Sequence, residues 1–113
     1  MQELRDSDDW KSVLKLSESR PVIILKHSTT CPISAGAWEE FHHFADDNNS
    51  KESDFFYVKV IESRSLSNQI AEDLNIKHES PQAILIQDKS SVWNTSHSSI
   101  TNEQLTENLI ATL

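Results

Sequence analysis

The residue with the most chemistry to offer is Cys31, the only cysteine of the chain. It stands in Lys26-His27-Ser28-Thr29-Thr30-Cys31-Pro32-Ile33-Ser34, where an apolar β-type run gives way to helical spacing. Proline suits the first position of a helix, because its missing N–H would have no partner there and its fixed φ is already helical. Cys31 is therefore expected at the N-cap. The free N–H groups of a first helical turn and the positive end of the helix dipole favour an anion. Thiols at such positions titrate at roughly 3.5–7.5 instead of about 8.5. A lowered value adds thiolate but removes intrinsic nucleophilicity, with a Brønsted slope of about 0.4–0.5, so attack gains little while the sulfur becomes a better leaving group. That suits a thiol cycling through mixed disulfides. The bland alternative is a buried, inert cysteine, a residue type often found inside. The neighbouring His, Ser and Thr, and the adjacent Pro32, favour the reactive reading.

The other candidates are fewer. His27, four residues before Cys31, could stabilise a thiolate or guide its proton, or could simply cap a strand end. Thr30 could hydrogen-bond the sulfur, although a loop hydroxyl bonding its own backbone is the commoner arrangement. Ser80-Pro81 precedes a third apolar run, and spacing alone favours an ordinary proline at the first position of a strand. His42 and His43 are neighbours on a helical stretch and diverge by about 100°, a poor chelate, and no metal site is expected. A Cys–His hydrolase would need a placed base, an orienting carboxylate and a cleft, none of which the sequence locates.

Composition removes several function classes. One cysteine excludes an internal disulfide, a Cys-x-x-Cys pair and a multi-cysteine metal site within one chain. One glycine excludes the glycine-rich phosphate loops and the G-x-S-x-G elbow. Eighteen acidic against ten basic residues give a net charge of -8, unsuited to nucleic acid or to anionic membranes. No run is apolar enough to span a bilayer, and no secretory or lipidation pattern is visible. A cytoplasmic protein is expected, where an unpaired thiol stays reduced.

The elements that must position Cys31 follow from periodicity. Trp10, Val13 and Leu14 have helical spacing after an N-cap expected at Ser7, with Asp8 and Asp9 in the first turn. Trp38, Phe41, Phe44 and Ala45 share a face of a second helix, Leu66, Ile70 and Leu74 a face of a third, and Leu105, Leu109, Ile110 and Leu113 a face of a fourth. Thr101-Asn102-Glu103-Gln104 opens that last helix with a capping-box pattern. Extended segments are expected at 22–25, 55–61 and 83–86, with a weaker one at 91–93 joined to the third by a short hairpin at 87–90. Residues 46–54 form a polar linker inside the domain. The 113 residues therefore read as one α/β domain, residues 1–113: a four-stranded mixed sheet flanked by helices, with an extra N-terminal helix. That is the layout of the thioredoxin-like fold.

At this point the motifs become specific. The segment from Lys26 to Ser34, followed by His78-Glu79-Ser80-Pro81-Gln82, resembles the monothiol bacilliredoxins of the YtxJ type, over roughly residues 10–113. The resemblance implies a thiol-disulfide oxidoreductase of the oxidative-stress response that removes bacillithiol from S-bacillithiolated proteins. Cys31 would be the attacking thiol, and Thr30, Pro32, Ser34, Ser80 and Pro81 would bind substrate. Pro81 would be a cis-proline facing Cys31, and the Ser80 backbone would pair with the client as an added strand. Ser34 stands where dithiol relatives carry a resolving cysteine, so regeneration would need an external thiol. The implied partners are client proteins, bacillithiol as thiol co-substrate, and its NADPH-dependent disulfide reductase. No bound cofactor is expected, and a monomer is expected. Two alternatives stand beside this. One is an iron–sulfur carrier using Cys31 across a dimer, where relatives with Cys-Gly-Phe-Ser have glycine in place of Pro32. The other is a non-catalytic interaction domain.

Overall fold

A computed structural model describes residues 1–48 and 53–112. The chain runs β1 (Gln2–Glu3), α1 (Ser7–Leu16), β2 (Val22–His27), α2 (Pro32–Asp47), β3 (Asp54–Lys59), α3 (Arg64–Leu74), β4 (Gln82–Gln87), β5 (Ser90–Ser96), a 3-10 turn (His97–Ser99) and α4 (Asn102–Thr112). The sheet order is β1-β3-β2-β4-β5. β1 and β2 both run parallel to β3, while β4 is antiparallel to β2 and β5 to β4.

The sheet thus has five strands, one more than the four expected. The extra strand, β1, has only two residues, and it is held by backbone pairing to Phe56 and Tyr57 and by the Leu4 N–H donating to the Tyr57 carbonyl at 2.8 Å. Two polar residues carry no period-2 signal, so their pairing is set by the β3 edge they meet. The second difference is at α1. Asp6 is the N-cap, its carboxylate accepting from the Asp9 N–H at 2.9 Å, and Ser7 is already helical, accepting from Gln69 Nε2. The polar stretch 46–54 is partly absorbed into elements: Asp46 and Asp47 close α2 and Asp54 opens β3, while 49–52 lie outside the described residues. On α4, Leu105 and Leu109 face the core but Ile110 is 62% exposed, and Leu113 lies outside the described residues.

β2 and β4 are apolar almost throughout because both of their faces are covered. Alternate residues enter two cores. Val22, Ile24, Ile84 and Ile86 join Trp10, Val13, Leu66, Ile70 and Leu74 under α1 and α3. Ile23, Leu25, Ala83 and Leu85 join Ala37, Phe41, Phe44, Leu105 and Leu109 under α2 and α4. Trp10 is buried and its Nε1–H still finds a partner, Asp73 of α3, at 2.8 Å.

The β4–β5 turn has positive φ at both Asp88 (51°) and Lys89 (64°), the two-residue hairpin geometry that usually calls for Asn or Gly. In a chain with a single glycine, other contacts hold this turn. The Asp88 N–H donates to the Ser17 carbonyl at 2.8 Å and the Lys89 N–H to the Ser17 hydroxyl at 2.9 Å. The end of α1 thereby fixes the turn that sets the β5 register.

Candidate thiol site

The site grows from the C-terminal end of β2. Leaving that strand, the chain makes one tight turn in which the Cys31 N–H reaches the Ser28 carbonyl at 3.4 Å. It then enters α2 with Cys31 as N-cap, in extended conformation, and Pro32 at the first helical position. Cys31 is a free thiol of intermediate exposure. Its carbonyl accepts the first helical bond, from Ala35. Thr29, Thr30, Pro32 and Ile33 are exposed around it, Ile33 by 54%. The Thr30 hydroxyl lies 3.3 Å from that of Ser28.

Ser34 behaves differently. It is fully buried, and its hydroxyl lies 2.8 Å from His27 Nδ1 while accepting from the Ser28 N–H at 2.9 Å. One turn into α2, it ties the helix to the strand end and to the loop that carries Cys31. This hydroxyl supports the loop and is closed to a client chain in this conformation.

His27 is also buried, between Ser34 and the ring of Trp38, whose centroid is 4.6 Å from the imidazole. Trp38 meets Tyr57 edge-on at 4.9 Å. Burial pushes the His27 pKa below its ordinary 6.5, against an opposing pull from Glu62. A neutral imidazole whose Nδ1 accepts the Ser34 proton carries its own proton on Nε2. His27 therefore adds no positive charge beside Cys31 near neutral pH, and its visible task is to anchor Ser34.

The opposite wall is the start of β4. The Ser80–Pro81 peptide bond is cis, Pro81 is buried, and its carbonyl accepts from the His97 N–H at 3.0 Å. Because Lys26 pairs with Gln82 across β2 and β4, Pro81 enters the sheet at the same end where β2 delivers the Cys31 loop. The cis form is the one the family resemblance implied, not the one spacing alone favoured. The Ser80 hydroxyl is buried and has no hydrogen-bond partner among the described residues.

Three side chains, Lys26, His78 and Gln82, escaped the reading of the sequence. Lys26 is fully inaccessible, with Nζ donating to the Ser67 carbonyl at 2.9 Å and lying 3.0 Å from His78 Nδ1. Gln82, also buried, donates from Nε2 to the Lys77 carbonyl at 3.0 Å and accepts from the Glu79 N–H at 3.4 Å. A signal for Lys26 was present: a lysine inside a strand covered on both faces must find internal partners. His42 and His43 are exposed, and His42 lies against Trp38, 3.8 Å from Asp46.

A free cysteine at the head of α2, with a cis-proline entering the antiparallel neighbour of the preceding strand, marks a thiol oxidoreductase of thioredoxin-like fold. Solved structures agree. One protein described as an oxidoreductase with a thioredoxin fold is 37% identical, with a TM-score of 0.84 over 93% of this chain and 89% of its own. The thioredoxins of Fasciola hepatica (16% identity, TM-score 0.77, 98% of each chain) and Malassezia sympodialis (18%, 0.77, covering 98% and 89%) share the fold. Residues 2–105 match the family model of the monothiol bacilliredoxin BrxC, and the chain belongs to that family. Among the described residues no helix is long and apolar enough to cross a membrane.

Proposed function

We propose that this protein removes bacillithiol from S-bacillithiolated client proteins by a monothiol exchange at Cys31. The observation that carries the reading is a single, partly exposed thiol at a helix N-cap, with a buried serine, Ser34, where a second thiol would be needed for internal resolution. In the first step the Cys31 thiolate attacks the bacillithiol sulfur of the client's mixed disulfide. The client leaves as its thiolate, and a Cys31–bacillithiol disulfide remains. In the second step a bacillithiol thiolate attacks that disulfide, restoring the Cys31 thiolate and forming oxidised bacillithiol. An NADPH-dependent reductase would return the latter to the thiol. Each step exchanges one disulfide for another, so no electron is gained or lost until the reductase acts.

The client segment around the modified cysteine would lie along the Ser80 backbone as an added strand. Thr30 and Pro32 would border it, and exposed Ile33 would offer apolar contact. Ser34 supports this surface from below. The protein would act as a cytoplasmic monomer.

Intact-mass spectrometry of reduced protein mixed with a bacillithiol-modified client tests the reading. The expected result is mass gained at Cys31, mass lost from the client, and neither change with Cys31→Ala. A client that stays modified while a glutathionylated one is cleared would keep the exchange and remove bacillithiol as its substrate. Inertness toward both, with visible absorbance in anaerobically purified protein, would replace the reading with cluster carriage.

A further inference from the structure

Lys26 is a charged side chain held where water does not reach, on the face of β2 opposite the Cys31 loop. Its neighbour His27 points to α2, so the strand alternation sends Lys26 toward α3. There its Nζ meets the Ser67 carbonyl and His78 Nδ1, with the Ser67 hydroxyl 3.4 Å from the same ring nitrogen. An ammonium has no lone pair, so His78 accepts through Nδ1 and keeps its proton on Nε2. Burial pulls Lys26 down to about 8, and burial together with Lys26 and Arg64 lowers His78, consistent with a neutral ring accepting from an ammonium.

Burying an ammonium is costly, and apolar replacements of buried charges are often neutral or stabilising. Lys26 fills core space that an apolar side chain of similar length could also fill. What it holds is the segment leading to Ser80 and Pro81. Gln82, directly opposite Lys26 in the β2–β4 register, holds the same segment through Lys77 and Glu79. Directly opposed residues of an antiparallel pair share a face, so two buried polar side chains from one register position grip residues 77–79.

We infer that Lys26 and His78 form a clamp that positions residues 77–81, and with them the docked client, without touching the reacting sulfurs. Both are positioning residues, and the inference rests on the client-docking role proposed for Ser80 and Pro81. It separates two supports of one site: the turn that presents Cys31 is held from the α2 face of the sheet, and the segment that docks the client is held from the α3 face.

The test uses the whole chain, a single-cysteine client carrying bacillithiol, and iodoacetamide as a probe of Cys31. His78 is exposed, so substitution there should leave the fold intact. His78→Ala is expected to raise KM for the client roughly ten-fold, the scale of one hydrogen bond to a charged group. Its kcat should stay within about two-fold and its alkylation rate should match wild type from acid to alkaline pH. His78→Asn, whose amide oxygen can replace Nδ1 as acceptor, should restore the wild-type KM. Lys26→Met should fold and raise KM in the same way. An unchanged KM in His78→Ala, or alkylation falling in step with transfer, overturns the clamp while the exchange reading stands. A wild type that clears no modified client removes both.

Discussion

The most demanding consequence of the geometry concerns Ser34. Its hydroxyl accepts from the Ser28 N–H at 2.9 Å and lies 2.8 Å from His27 Nδ1, and all three residues are buried. Ser34→Ala removes both partners at once. A buried polar group left unpaired costs about 1–3 kcal/mol. The Ser28 N–H has no obvious replacement, whereas the imidazole can change tautomer, so the sum should be about 2–4 kcal/mol. Against a domain stability of about 5–15 kcal/mol that is a large fraction. With a urea m-value of about 2 kcal/mol/M, the midpoint should fall by roughly 1–2 M. Ser65→Ala, at an exposed position of α3, should stay within about 0.5 kcal/mol of wild type. If Ser34 instead contacted the client, Ser34→Ala would keep wild-type stability and raise only KM. A urea midpoint for Ser34→Ala indistinguishable from that of Ser65→Ala would refute the hydrogen-bonding role argued here.

Three further outcomes are expected. Burial holds His27 below its ordinary 6.5, so the unfolded chain binds this proton more readily than the folded one. Its contribution is therefore complete above about 6.5 and is lost as pH falls through the lower folded value. His27→Asn, which keeps an acceptor but cannot titrate, should flatten that part of the stability profile in urea melts between pH 7.5 and 5; an unchanged slope would point to other groups. Ser34→Cys supplies a thiol three residues after Cys31, which should attack the Cys31–bacillithiol disulfide and expel bacillithiol as its thiol without an external thiol, leaving an internal disulfide visible by mass as two hydrogens fewer than the dithiol. Persistence of the mixed disulfide would show that a thiol at 34 cannot reach. Finally, the net charge of -8 should favour clients with basic residues around the modified cysteine at low salt, and that preference should shrink as ionic strength rises. Equal rates for a basic and an acidic client at low salt would exclude electrostatic steering.

What could be read in the sequence was whatever a period or a proline records. The doubly covered strands β2 and β4 announce themselves as unbroken apolar runs, and Pro32 marks the helix start that places Cys31. The edge strand β1 could not be read, because two polar residues pair through backbone alone. The N-cap slipped by one because Asp6 and Ser7 are both capable caps, and the choice is made by which side chain reaches the Asp9 N–H. Ile110 carries the right residue type, but it lies about 100° around the helix from the buried Leu109 and faces outward. The role of Ser34 was hidden for another reason. Its position in the motif identified it, but whether its hydroxyl faces outward to a client or inward to His27 depends on the rotation of α2 against β2.

The pleat of β2 explains how one strand end can serve two halves of a site. His27 and Lys26 are adjacent, and the pleat sends them to opposite faces. His27, through Ser34, fixes the turn that presents Cys31. Lys26, through His78, reaches the segment that ends in the cis-proline. Neither side chain needs to approach the sulfur to matter. Both are polar residues in a strand otherwise built for burial, and each has its partners inside the protein. A one-residue shift in the β2 register would exchange the two faces, placing the lysine under α2 and the histidine under α3. The continuous apolar run Val22-Ile23-Ile24-Leu25 would tolerate such a shift, since either face accepts any of its members. The polar pair at its end would not, so Lys26 and His27 can fix the register that the aliphatic residues leave degenerate.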